Sequence, residues 1–144
     1  MQDEIDEKQV DALLEQDRKA DAVELLFGWI VKCARERDFA KAEALRERIL
    51  EVDDTALSEI IESAEIIETE KSKAVDHDHM DLWSELYSTL ATEESNALYF
   101  ALKQIEVSPD EIVFKQGQKN DRLYFVDKGE LKLFYVHQDT ESLI

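Results

Sequence analysis

An α+β fold is predicted, an antiparallel helical bundle followed by a truncated antiparallel β-roll, and three observations predict it. Apolar residues recur at helical spacing from Val10 to Ile105. From Ile112 onward they come instead in short β-branched and aromatic runs bounded by turn residues. Of only three glycines, Gly117 and Gly129 lie in that last stretch, and the single proline, Pro109, opens it. The first hundred residues are left free for long helices.

Residues 1–17 are acidic and polar, with Val10, Leu13 and Leu14 as one apolar edge, and read as a short helix with a frayed start. Residues 19–36 give the strongest helix. Val23, Leu26, Phe27, Ile30, Cys33 and Ala34 share a face, and Leu25 and Trp29 widen it. So broad a stripe places this helix centrally, with neighbours on two sides. Gly28 inside it costs roughly 1 kcal/mol relative to Ala, and close approach of another helix is the expected reason.

Asp38 can cap the next helix, whose face is Phe39, Ala42, Leu45, Ile49 and Val52. After the capping cluster Asp53-Asp54-Thr55, a further helix carries Leu57, Ile60, Ile61, Ala64 and Ile67 and ends near Glu70. Residues 71–81, KSKAVDHDHMD, lack apolar periodicity and read as a linker. His77-Asp78-His79 raises the question of a metal. Adjacent ligands at i, i+2 in an acidic loop lack the second shell and spacing of such a site, so no metal is expected. Met80, Trp83, Leu86, Tyr87 and Leu90 then mark a helix. Thr92 caps another, with a face of Leu98, Ala101, Leu102 and Ile105.

Beyond the turn Ser108-Pro109-Asp110-Glu111, three strands are expected: Ile112–Phe114, Leu123–Val126 and Leu131–Val136. Gly117 and Gly129 serve the turns between them, where a positive φ is needed. Asp127–Glu130 reads as a tight hairpin turn. The third strand should bury at least one face, and Ser142-Leu143-Ile144 begins a fourth run.

The order Phe114-x-x-Gly117, Asp121, Leu123-Tyr124-Phe125-Val126, then Gly129-Glu130-Leu131-Lys132-Leu133 resembles the opening of a cyclic nucleotide-binding domain, as in catabolite activators, protein kinase A regulatory subunits and gated channels. The resemblance covers roughly residues 86–144. It implies a jelly-roll β-fold. Residues 1–75 would form an acidic helical domain, and residues 76–144 the first helices and strands of the nucleotide-binding-like domain. It also implies that Phe114 and Leu133 line the apolar wall of a pocket, with plain barrel core as the other role for each. In that family a later cassette, a Gly-Glu pair at a helix N-terminus and a downstream Arg, holds the cyclic phosphate; such groups suit a phosphate. None of it occurs here, and Glu130 belongs to the earlier hairpin. The chain itself is therefore expected to hold no cofactor, cAMP or cGMP being the ligand of a longer protein.

The charge narrows the partners. Residues 1–106 carry 12 Lys+Arg against 28 Asp+Glu, a net of −16, whereas residues 107–144 carry 5 against 7, a net of −2. So acidic a surface repels phosphate backbones and anionic lipid, so neither nucleic acid nor membrane is an expected partner. The N-terminus lacks the basic and apolar regions of a signal peptide, no apolar run reaches bilayer length, and the lone Cys33 reads as a buried core thiol. A cytoplasmic location is expected. No nucleophile–base pair, phosphate loop or metal constellation suggests an enzyme. Two functions follow as expectations: part of a cyclic nucleotide-responsive regulator, or an acidic helical module that forms a homodimer or binds another protein.

Overall fold

Four amphipathic helices build the core: α1 (Glu7–Glu15), α2 (Lys19–Arg35), α3 (Phe39–Val52) and α4 (Leu57–Ala74). This computed structural model describes residues 5–144, so the frayed start expected at the N-terminus lies mostly outside the described residues. Asp6 starts α1 by accepting from the Lys8 N–H at 3.1 Å. Asp38 starts α3 by accepting from the Lys41 N–H at 3.3 Å, as its position predicts.

Helix α2 is central, as its wide stripe requires. It packs on α1, α3 and α4, and its Ala22, Leu26, Ile30 and Ala34 are fully buried. Val10, Leu45, Ile49, Ile60 and Ile67 close around them. Each such aliphatic side chain contributes about 1.5–3 kcal/mol through removal from water. Cys33 lies within this core, and burial pushes its thiol above the ordinary range, so it is poorly ionised. Gly28 departs from expectation. It faces solvent, and nothing lies within 4 Å of where its Cβ would be, so no neighbouring helix requires it.

The turns after α1 and α2 are copies of one another. Arg18 N–H donates to the Leu13 carbonyl and Asp17 N–H to that of Leu14; Asp38 and Arg37 repeat this with Cys33 and Ala34. These paired bonds satisfy the last carbonyls of each helix. They put Asp17 and Arg37 at φ of 58° and 64°, a left-handed conformation that favours glycine.

The linker expected at residues 71–81 is helical instead. Helix α4 runs on to Ala74, and α5 (His77–Leu82) follows after Val75 and Asp76. Its Lys71 is held by the neighbouring helix α3, with Nζ 3.1 Å from Glu43, and by Glu68 one turn back on α4 itself at 3.3 Å. Tertiary partners here override the missing apolar period. Asp76 caps α5 and donates its own N–H to the Tyr99 hydroxyl at 2.9 Å.

After the short α6 (Ser84–Tyr87) comes α7 (Thr92–Ala101). Its cap is Ala91, not Thr92, and the Glu94 carboxylate reaches back to accept from the Ala91 N–H at 2.9 Å. Its buried residues are Ser95 and Asn96, not the expected apolar face; Ile105 is exposed. The Asn96 amide donates to the Glu68 carboxylate at 2.8 Å and to Ser72 Oγ at 3.2 Å, docking α7 on α4 through hydrogen bonds. Val75, where the two expected domains meet, is the C-cap of α4, and α7 packs on α4.

Residues 103–133 carry no regular secondary structure. The strands expected at Ile112–Phe114 and Leu123–Val126 form no ladder, and Asp127–Glu130 closes no hairpin. The sheet is one antiparallel pair, β1 (Phe134–His137) and β2 (Thr140–Leu143), with Phe134 opposite Leu143 and His137 opposite Thr140. Gln138 and Asp139, both at positive φ, make its two-residue turn. Neither side of the expected third strand is buried: all of β1 is exposed. A strand needs a partner's N–H and C=O groups as much as suitable side chains. On β1 one such partner is a side chain: the Gln116 amide accepts from Val136 N–H at 2.7 Å and donates to its carbonyl at 3.4 Å. The architecture is α+β, seven helices and a small antiparallel sheet among the described residues.

Candidate functional site

Helix α5, the cap residue Trp83 that joins it to α6, and α6 itself set His79, Trp83 and Tyr87 four residues apart along consecutive turns. Together they receive the segment around Asp127. His79 is only 5% exposed, and its Nδ1 lies 2.8 Å from both Asp127 carboxylate oxygens. Its Nε2 lies 2.8 Å from the Tyr87 hydroxyl. Trp83 Nε1–H donates to Asp127 Oδ1 at 2.9 Å. The Phe125 ring closes the group, edge-on to Trp83 at 4.9 Å and to His79 at 5.9 Å.

The chemistry of the partners orients the ring. An ionised carboxylate only accepts, so Nδ1 carries a proton toward Asp127. In the neutral imidazole Nε2 then accepts from the Tyr87 O–H. Burial pushes the Asp127 carboxyl upward, but the hydrogen bonds from His79 and Trp83 outweigh it and hold the group below the ordinary carboxylate range. Burial raises Tyr87, and the nearby Asp127 charge adds to the shift, which keeps the phenol protonated as a donor. Both His79 nitrogens are engaged by protein groups, so the arrangement positions a chain segment and leaves no imidazole nitrogen for a substrate or metal.

The sequence-predicted residues lie elsewhere. Phe114 is 45% exposed and stacks on Tyr124 at 6.0 Å. Leu133 is 55% exposed, and its carbonyl accepts from the Ile144 N–H at 2.9 Å. Gly117 and Gly129 take φ of 78° and 89°, the left-handed region that favours glycine. His77 and His79 sit two residues apart on a helix and diverge: His79 is buried, while His77 lines an open groove of about 730 Å³ with Glu65, Glu68, Ser72, Lys73 and Glu93. Among the described residues no group of three His, Cys, Asp or Glu side chains could hold a metal ion, and no helix is long and apolar enough to cross a membrane.

Sequence reasoning missed the His79–Asp127 group. The signal was the spacing of His79, Trp83 and Tyr87; its partner, 48 residues away, carries no local mark. No protein-family model matches the chain, and no curated protein or solved structure matches it either.

Proposed function

We propose that the chain is the helical front of a cyclic nucleotide-responsive regulatory protein. Residues 106–144 are the opening part of its β-roll, and they hold no nucleotide phosphate. The observation that carries this reading is a mismatch within the segment. Gly117 and Gly129 take the left-handed φ that favours glycine, yet Ile112, Phe114, Leu123, Val126, Leu131 and Leu133 beside them are exposed, Leu123 to 78%. Large apolar side chains left in water are the inner face of a sheet whose other strands lie elsewhere in sequence. On this reading Phe114 and Leu133 become core or pocket wall once those strands are present. The module is cytoplasmic and non-enzymatic, and its acidity keeps it off nucleic acid and membrane. Calorimetric titration with cAMP and with cGMP tests it: the 144 residues bind neither, and micromolar binding of either would overturn the assignment of the phosphate site to a later cassette.

A second reading is favoured by the β2 edge. β1 has Gln116 along its outer side, but among the described residues β2 pairs with no further strand. Open edges recruit other chains, and the near-neutral segment can approach its own copy where the −16 bundle cannot. Residues 134–144 then serve as the contact of a homodimer. Light scattering at high protein concentration checks this, and a strictly monomeric mass excludes it.

A further inference from the structure

We infer that Asp127 is the fastening point of a latch, and that a row of aromatic rings carries a displacement of the latched segment to α3. This rests on the geometry alone and stands whether or not the nucleotide reading does. Among the described residues, every hydrogen bond between residues 103–144 and the helices ends on the Asp127 carboxylate. The other hydrogen bonds of that segment are internal to it. One carboxylate thus carries all the hydrogen bonding by which this segment sits on the helices, with Phe125 packed beside it.

The carboxylate is 45% exposed, so water competes for it and the latch can open. His79 has no such freedom. With Asp127 withdrawn, its buried Nδ1–H loses its partner, and a buried donor without one is costly. The imidazole must then turn, and other rings lean on it. Phe125 meets His79 at 5.9 Å, His79 meets Tyr99 at 5.7 Å, Tyr99 meets Phe100 at 5.2 Å, and Phe100 meets Phe39 at 5.3 Å. Phe39 is the first residue of α3. The row runs unbroken from the segment to the start of α3, and tilted ring pairs at these separations attract beyond their buried area. Coupling needs a contact that can open at one end and side chains that touch in between; the rings supply the touching side chains, Phe100 being the exposed member at 42%.

The test uses the whole chain with Asp127→Ala, an exposed change that leaves the α1–α4 core untouched. Trp83→Phe, which removes the indole N–H donor and shortens the ring that Phe125 meets edge-on, serves as a second, milder variant. Two readouts are followed: trypsin cleavage after Arg122, and hydrogen exchange at the Ala42–Leu45 amides of α3. Both variants are expected to speed the cleavage and to lose protection at Ala42–Leu45, with the Leu26–Ile30 amides of α2 unchanged. Adding Phe100→Leu should remove the response of α3 while the cleavage stays fast. Unchanged cleavage in Asp127→Ala overturns the latch. Fast cleavage with α3 protection intact, or an α3 response that survives Phe100→Leu, overturns the row.

Discussion

His79 Nδ1 and the Asp127 carboxylate meet at 2.8 Å across 48 residues of sequence, one partner buried in the helices and the other half-exposed on the C-terminal segment. The pair ties the strand-like part of the chain to the helical part. Its response to acid follows from the direction of the Asp127 shift. The folded carboxyl lies below its unfolded value of about 3.9, so it contributes stability above that pH and loses it as pH falls through the folded value. Segment docking should therefore persist from neutral pH to about pH 4 and fail below it. Trp83 fluorescence followed down a pH series checks this. In Asp127→Asn the acid step should disappear; an unaltered step would assign it to other groups.

Gly28 offers a prediction of opposite sign to the usual mutation. Its Cβ position is open and the residue is mid-helix. Gly28→Ala should stabilise the chain by about 0.5–1 kcal/mol through the helix preference of alanine. Urea denaturation would show a higher midpoint at unchanged slope. A loss of stability would mean that the position is constrained by something other than space.

Arg37 sits at φ 64° in the turn between α2 and α3. A left-handed non-glycine residue costs about 1–2 kcal/mol, whereas glycine's extra freedom in the unfolded chain returns roughly 0.4–1 kcal/mol. Arg37→Gly should thus gain about 0.5–1 kcal/mol, measured by the same denaturation. Asp17 occupies the equivalent turn, and Asp17→Gly should add to it, because the two turns share no partner.

What was legible in the sequence was local. The α2 stripe gave both a helix and its central place, since Leu26 and Ile30 can only be covered from several sides. Asp38 declared itself as a cap three residues before its Lys41 donor. The segment KSKAVDHDHMD misled because its helical state depends on Glu43, Asn96 and Asp127, partners 28, 24 and 48 residues from Lys71, Ser72 and His79. The α7 face was misread for the same reason: Asn96 docks by hydrogen bonds, and a search for apolar periodicity passes over it. At the C-terminus the β-rich composition of Leu123–Val126 was real, but composition supplies no ladder. Phe125 and Asp127 turn to the helices instead.

On the proposed function, residues 106–144 open a β-roll completed by further sequence. The most direct test is to read the coding frame past Ile144 and titrate the longer polypeptide beside this one with cAMP and cGMP. Further strands and a Gly-Glu…Arg cassette are expected, with nucleotide bound by the longer chain and not by the 144 residues. A stop codon directly after Ile144, or a longer chain that lacks the cassette, would contradict it and leave the acidic interaction module as the better description.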